Sequence, residues 1–116
     1  GLVRLSGQRF QSLAGSRDPL VQALLENYRL WSKKKSIAEL KASSVLFDTV
    51  AVYLADPAPR TLVALETLPI RVTDDGMTLI DPAGKRLIVA SAWKDLDAYC
   101  DFLVKTLLSP TCPAAR

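Results

Sequence analysis

The chain has 116 residues, and its 49% hydrophobic and 23% charged residues are typical of a folded domain with its own core, which excludes a disordered polypeptide. Its net charge of +3 comes from scattered side chains, without the basic stripe and interleaved aromatic residues of a nucleic-acid surface, so we expect no nucleic-acid partner. No segment approaches the run of about 20 apolar residues that spans a membrane, so we expect no membrane partner.

The reactive side chains limit the chemistry that the chain can perform by itself. The sequence has no histidine, which removes the commonest general acid or base near neutral pH. The two cysteines, Cys100 and Cys112, are too few for a disulfide framework or a zinc site of the usual kind. Because "GLVRLSGQRF" at the start lacks a secretory apolar segment, we expect free thiols and a cytoplasmic location.

Two helices are predicted in the first third of the chain. Residues 6–14 predict a short helix with Ser6 as its N-cap. Pro19 suits the first turn of a second helix, and Asp18 before it complements the positive helix end. Apolar side chains then recur at helical spacing from Leu20 to Trp31, which predicts an amphipathic helix.

A third helix is predicted after a polar connection over residues 36–44. It covers residues 48–55, and "DPAPR" at 56–60 ends it, because proline cannot continue a helix. The apolar run "VLF" that leads into this helix is strand-like.

The second half of the chain predicts a small antiparallel sheet and a closing helix. Residues 61–73, 77–81 and 86–92 predict three strands, separated by the turn signals "DDG" and "PAGK". An amphipathic helix is predicted from Trp93 to Leu108. The order of three helices, a sheet and a helix predicts an α+β chain.

The predicted organisation is one segment over residues 1–109, followed by a flexible tail over residues 110–116. The helices of the first half have apolar faces but no sheet of their own to cover. This indicates a segment that packs against something larger, and it makes a homo-oligomer a further possibility.

Asp48 stands out because a carboxylate interrupts the apolar stretch "SSVLFDTVAVYLA". One explanation is an N-cap, since an aspartate side chain accepts hydrogen bonds from the first turn of a helix. The other is a ligand at a strand-to-helix junction, where open α/β sheets place their sites and where a hard oxygen donor suits Ca²⁺ or Mg²⁺. One oxygen can cap while the other binds a metal, so both explanations stay open.

Three stretches taken in order carry a family resemblance: "VLFDTVAVYLADPAPR", "ETLPIRVTDDGMTLID" and "RLIVASAWKDLDAYCDFLVKTL". Together with the upstream helix "DPLVQALLENYRLWSK", they resemble the C-terminal third of the inosine–uridine-preferring nucleoside hydrolases. Members of that family have an α/β fold. They carry a His-Asp-Pro stretch, an Asp-Pro turn, a short excursion of strands and a closing helix, and the resemblance covers nearly all of this chain.

The resemblance implies a Ca²⁺-dependent hydrolysis of the N-glycosidic bond of ribonucleosides, giving ribose and a free base. In the family a cluster of aspartates holds the metal, and the last of them matches Asp48. An oxocarbenium-like transition state makes nearby negative charge and a metal-activated water suitable for this reaction.

Two departures from the family pattern limit what this segment is expected to do. The N-terminal aspartate motif is missing, and "TDDG" at 73–76 is interpreted as a hairpin turn instead. Because Ca²⁺ takes about six to eight oxygen ligands, Asp48 alone cannot hold it. No catalytic residue is expected in this segment, which should be inactive by itself. Phe47 occupies the position of the histidine that protonates the leaving base in many members.

Aromatic side chains are the candidates for the nucleobase pocket. Phe47 could stack on the leaving base, although it could equally be a core residue. The resemblance places Tyr28 and Trp31 on a helix that borders the base pocket, where they could contact the base or pack in the core. The alternative to a hydrolase segment is a non-catalytic α+β protein-interaction module, which would bind a partner chain through the hairpin and an exposed helix face.

Overall fold

The computed structural model describes residues 1–56 and 61–109. Along the chain these residues form helices α1 (Gly7–Ala14), α2 (Pro19–Trp31) and α3 (Asp48–Ala55), strands β1 (Val63–Val72), β2 (Thr78–Ile80) and β3 (Lys85–Trp93), and helix α4 (Leu96–Leu108). A short 3-10 turn at Ile37–Glu39 lies between α2 and α3. The helices and the antiparallel sheet confirm the predicted α+β class.

Helix α2 begins at Pro19, as the sequence predicts, because Asp18 caps it. The Asp18 side chain accepts hydrogen bonds from the backbone N–H of Leu20 at 2.8 Å and of Val21 at 3.3 Å. Proline at the first helical position loses nothing, since its missing N–H would have no partner within the helix. Val21 and Leu25 of this helix point into the core.

Replacing Asp18 with alanine is expected to lower the free energy of unfolding by about 1 kcal/mol, because two N–H groups of the first turn lose their acceptor. Asp18→Asn is the matched control, since asparagine caps about as well and should change stability little. Urea unfolding followed by circular dichroism measures both variants. Equal losses in the two would show that the cap does not stabilise α2.

The sheet is antiparallel with the strand order β2-β1-β3. Gly76 takes a φ of +85° in the β1–β2 turn, a conformation that glycine adopts without strain. In the β2–β3 turn, Gly84 lies so close to the backbone of Ile70 that a Cβ would be 2.5 Å from the Ile70 carbonyl carbon. The predicted turn residues therefore have steric reasons to be glycine.

The boundary between the sheet and α4 differs from the prediction. Trp93 ends β3 opposite Val63 and is not the start of the helix, which begins at Leu96. The backbone N–H of Lys94 donates to the carbonyl of Leu62 at 3.0 Å, so the antiparallel pairing continues past Trp93. Helical periodicity predicted the body of α4 correctly, but it could not detect this hydrogen bond to a distant residue.

The described residues divide into two compact units, one formed by residues 1–56 with 97–109 and the other by residues 61–96. The first unit contains a hydrophobic core to which the N-terminal segment, α1, α2, residue 40 and α4 contribute. Its buried apolar residues are Val3, Leu5, Phe10, Leu13, Val21, Leu25, Leu40, Tyr99, Cys100 and Val104. Helix α3 contributes no buried residue.

The second unit is the sheet, and many of its apolar side chains are exposed. Val63 is buried, whereas Leu65, Val72, Met77, Leu79, Ile80, Leu87 and Ile88 are exposed. Within the described ranges, no helix is long and apolar enough to cross a membrane. The predicted turn at residues 57–60, the predicted tail at residues 110–116 and Cys112 lie outside the described residues.

Candidate functional site

The segment that leads into α3 is held by the N-terminal segment of the same unit. The N–H of Ser43 donates to the carbonyl of Leu5 at 2.8 Å, and the N–H of Leu46 donates to the carbonyl of Val3 at 2.9 Å. The Ser43 side chain is buried and accepts a hydrogen bond from the N–H of Leu5 at 2.9 Å. Residues 43–46, which lead into α3, are therefore attached to the core through Leu5, which is 1% exposed.

Replacing Ser43 with alanine is expected to lower the free energy of unfolding by about 1–3 kcal/mol, because the buried N–H of Leu5 loses its acceptor. Ser44→Ala is the matched control, since the Ser44 hydroxyl has no hydrogen-bond partner in the described part of the chain. Thermal and urea unfolding measure the difference. A loss in Ser43→Ala no larger than in Ser44→Ala would contradict the role assigned to Ser43.

The start of α3 places an aromatic ring and a carboxylate side by side on the surface. Phe47 occupies the N-cap position with helical φ and ψ of −61° and −48°, and its side chain is 66% exposed. Asp48 is the first residue of the helix and is also exposed. The N-cap explanation of Asp48 is therefore wrong, because the backbone turns helical one residue earlier. Phe47 is likewise not a core residue of this chain.

Asp48 has an unengaged side chain in a favourable electrostatic position. In residues 1–56 and 61–109, no group donates a hydrogen bond to its carboxylate. The N-terminal end of a helix carries partial positive charge, which stabilises a carboxylate there. The neighbouring Thr49 hydroxyl donates instead to the carbonyl of Leu46 at 2.8 Å, which fixes the backbone next to Asp48.

The described residues do not form a Ca²⁺ site on their own. Among them no three His, Cys, Asp or Glu side chains are grouped so that they could hold a metal ion. Asp48 offers at most two oxygens, whereas Ca²⁺ takes about six to eight. The donor set therefore fits one ligand of such a site and not the site as a whole.

Tyr28 and Trp31 form an aromatic pair at the C-terminal end of α2. Their ring centroids are 5.5 Å apart and their planes differ by 24°, which is a stacked geometry. Trp31 is 69% exposed, whereas Tyr28 is half-buried. Trp31 is thus a surface residue and not a core residue. The residues of α2 that are buried in the core are Val21 and Leu25.

An apolar cavity of about 100 Å³ lies beside one of the candidate residues, Tyr28. Tyr28 from α2 and Leu46, the residue before Phe47, both line it, together with core residues such as Leu5 and Phe10. Among the described residues no ring contact joins Phe47 to Tyr28 or Trp31. The structure therefore does not bring the two groups of candidate residues together: Tyr28 lines this cavity, whereas Phe47, Asp48 and Trp31 are not among its lining residues.

An aromatic groove between α3 and α4 was not predicted from the sequence. Tyr53 of α3 makes edge-on contacts with Tyr99 and Phe102 of α4, with centroid distances of 5.3 Å and 5.5 Å. A depression of about 330 Å³ runs along these residues, with Val52 on its rim. Val52 is 72% exposed, so apolar surface continues from the groove onto the outside of α3.

Arg9 joins α1 to α4 through two carboxylates of α4. Its Nε donates to Asp101 at 2.6 Å, and its Nη1 donates to Asp97 at 2.9 Å. The hydrogen bond from Arg9 lowers the pKa of Asp101. Because both acidic partners neutralise Arg9, the surface depression of about 570 Å³ beside it is a poor anion site.

Replacing Arg9 with glutamine is expected to lower the melting temperature at neutral pH and to have less effect in acid. The folded-state pKa of Asp101 lies below its usual 3.8. The ion pair of Asp101 with Arg9 therefore stabilises the fold fully above about pH 3.8, and this stabilisation is lost as the pH falls through the folded-state pKa. Arg17→Gln, at an exposed position of like charge, is the control. A melting-temperature difference between wild type and Arg9→Gln that stays constant down to about pH 2 would contradict this pH dependence.

Local sequence gave no signal for several of these features. Ser43 belongs to a polar connection, and its acceptor role depends on Leu5, 38 residues away. The Tyr53 contacts join helices separated by the whole sheet. The only signal for these contacts in the sequence is that both α3 and α4 contain aromatic residues at apolar positions.

Cys100 is a free, buried thiol on α4 within the first unit. Its burial raises its pKa, which keeps the thiol protonated and unreactive.

Comparison of the chain with models of protein families, with curated proteins and with solved structures found no match.

Proposed function

We propose that this chain is the C-terminal part of a ribonucleoside hydrolase, to which it contributes one Ca²⁺ ligand and part of the nucleobase pocket. The observation that carries the proposal is the exposed pair Phe47 and Asp48 at the start of α3. Its residues are those that match the metal-binding stretch of the family that the sequence resembles. Phe47 stands where many members have histidine, so the proposal includes a leaving-group contact by an aromatic ring.

The local structure supports Asp48 as a metal ligand. Its carboxylate is exposed, lacks a hydrogen-bond partner among the described residues, and lies at the positive end of a helix. The segment before it is attached to the buried Ser43 and Leu5, so the carboxylate projects from a fixed backbone. A rigid support of this kind is what a metal ligand requires.

The aromatic residues support a pocket for a planar base. Phe47 and Trp31 are each about two-thirds exposed, at 66% and 69%. Exposed rings offer their faces for stacking, and Tyr28 already stacks on Trp31. Tyr28 also lines the apolar cavity of about 100 Å³ that reaches Leu46, the residue before Phe47.

Helix α3 supports the idea that more polypeptide covers this unit. Its sequence "DTVAVYLA" is apolar around most of its circumference, yet none of its residues is buried. A helix that is hydrophobic all round normally lies inside a protein. In the proposed hydrolase, polypeptide beyond residues 1–116 covers α3 and supplies the remaining carboxylates.

The roles of the residues follow from the reaction. Cleavage of an N-glycosidic bond develops positive charge on the ribose, and negative charge nearby stabilises it. Asp48 provides such charge, while Phe47 and Trp31 provide stacking faces for the base. Bound Ca²⁺ would hold the ribose hydroxyls and activate water. A cytoplasmic location fits the free thiol of Cys100.

The test compares this chain with a longer polypeptide that continues the reading frame upstream of Gly1. Calorimetric titration with Ca²⁺ and an assay of ribose release from inosine and uridine are applied to both. We expect binding and turnover only in the longer polypeptide, because this chain supplies one ligand. Absence of both in the longer polypeptide would overturn the proposal.

The exposed apolar surface of α3 and the groove beside it also favour a second candidate, a non-catalytic protein-interaction module. Such a module would bind a partner chain and show no response to Ca²⁺. An upstream sequence without an Asp-x-Asp motif, together with an absence of Ca²⁺ binding in the longer polypeptide, would favour the module over the hydrolase.

A further inference from the structure

Gly1 lies against the aromatic ring of Phe47. A Cβ atom on Gly1 would be 2.5 Å from Cε1 and 2.8 Å from Cδ1 of that ring, and 2.5 Å from Cγ1 of Val45. Carbon atoms that are not bonded to each other pack at about 3.5–4.0 Å. A residue with a side chain at position 1 must therefore displace the ring, Val45 or its own backbone.

The N-terminal segment is held in the place that makes this contact. It runs antiparallel to residues 42–46, and the carbonyl of Val3 accepts a hydrogen bond from the N–H of Leu46 at 2.9 Å. Val3 is also buried, at 3% exposure. Because the pairing is antiparallel, Gly1, which precedes Val3, comes level with Phe47, which follows Leu46.

The ring of Phe47 can move without loss of the fold. Its side chain is 66% exposed and lies outside the core, whereas Val45 is half-buried. A clash with the free end of an exposed side chain is relieved by a change of rotamer. We therefore expect a side chain at position 1 to shift the Phe47 ring and to leave the backbone in place.

We propose that Gly1 is a positioning residue, which sets the place of the Phe47 ring beside Asp48 so that the ring contacts the leaving base. This inference rests on the proposed hydrolase function, in which Phe47 makes that contact. Aromatic stacking depends on the distance and angle between the two rings, so a displaced Phe47 stacks less well. Gly1 acts through Phe47, because its missing side chain leaves the space beside the ring free.

The first test uses the 116-residue chain and needs no enzymatic activity. In nuclear magnetic resonance spectra, a nuclear Overhauser effect should join the α-protons of Gly1 to the ring protons of Phe47, because the two groups are in contact. In Gly1→Ala we expect the ring resonances of Phe47 to shift. Absence of the effect in the wild type, or unchanged ring resonances in Gly1→Ala, would overturn the proposal.

Gly15→Ala is the matched control for this substitution. Gly15 has right-handed φ and ψ of −85° and −4°, and a Cβ there would be 3.4 Å from the carbonyl oxygen of Gln11, so alanine fits. This variant should leave the Phe47 resonances unchanged. Circular dichroism and urea unfolding check that both variants are folded, and we expect both to be about as stable as the wild type.

The second test measures ribose release from inosine by the longer polypeptide. Gly1→Ala should lower kcat/KM about two- to tenfold, the range expected for the loss of an aromatic contact, whereas Gly15→Ala should not lower it. In a Phe47→Ala background, Gly1→Ala should cause no further loss, because Gly1 acts through the ring. An equal loss in both backgrounds, or no loss with Phe47 present, would overturn the positioning role.

The two tests distinguish a failure of this inference from a failure of the proposed function. A longer polypeptide that releases no ribose would contradict the proposed function, and with it the positioning role, even where the contact between Gly1 and Phe47 is observed. An active longer polypeptide in which Gly1→Ala is fully active would contradict the positioning role alone.

Discussion

Replacing Asp48 with asparagine in the longer polypeptide is expected to lower both Ca²⁺ affinity and ribose release by about 100-fold or more. Changes in residues that only support metal ligands cost about 10–100-fold, and the loss of a ligand charge should cost at least as much. The fold should not change, because Asp48 is exposed and makes no hydrogen bond with any described residue. This variant should therefore lose Ca²⁺ affinity and ribose release while its stability stays unchanged.

Asp74→Asn is the matched control for this experiment. Asp74 is an exposed carboxylate in the β1–β2 turn, and its removal changes the net charge by the same amount. Calorimetric titration and single-substrate kinetics with inosine compare the two variants. Unchanged affinity and turnover in Asp48→Asn would remove Asp48 from the site, and an equal loss in Asp74→Asn would point to a general charge effect.

Replacing Tyr99 with alanine is expected to lower the free energy of unfolding of the first unit by about 3–5 kcal/mol. Tyr99 is 1% exposed and is the largest of the most completely buried side chains. Its ring contacts Tyr53 edge-on at 5.3 Å, so the variant loses packing and leaves a cavity between α3 and α4. Urea unfolding monitored by near-ultraviolet circular dichroism measures the loss.

Tyr99→Phe separates the ring from the hydroxyl. Burial raises the pKa of Tyr99, and its hydroxyl forms a hydrogen bond with Thr49. Phenylalanine keeps the ring and loses that bond, so it should cost only about 0.5–1.5 kcal/mol. If the phenylalanine variant were as unstable as the alanine variant, packing of the ring would not be the main contribution of Tyr99.

Local patterns predicted those elements whose causes lie within a few residues. The Asp18–Pro19 pair specifies the start of α2, and the period of apolar residues specifies α2 and the body of α4. The turns around Gly76 and Gly84 were found because their backbone geometry favours glycine. These signals are short-range physical constraints, so they can be seen in the sequence.

The error at the sheet boundary originates in a contact between distant residues. Trp93 was assigned to α4 because its spacing suits a helix, but pairing with Val63 extends β3 instead. This pairing gives no signal in the local sequence. Asp48 was considered a cap because capping residues precede apolar helices, whereas Phe47 already has helical φ and ψ and Asp48 is the first residue of a helix with the predicted bounds, 48–55.

For the candidate site, the sequence identified residue types but not their surroundings. It singled out Phe47, Asp48, Tyr28 and Trp31, yet it could not show that Trp31 and Phe47 are exposed or that Ser43 anchors the segment between them. Burial depends on which elements cover one another, and α3 is a case in which an apolar sequence contributes no fully buried residue.

The division into two units has a consequence for the order of events during protein synthesis. The first unit takes Tyr99, Cys100 and Val104 from α4, whereas the sheet is encoded entirely between α3 and α4. Translation proceeds from the N-terminus, so the whole sheet leaves the ribosome before the first unit has all its core side chains. The early helices therefore keep apolar surface exposed during this interval, which is when the nascent chain is most prone to bind chaperones.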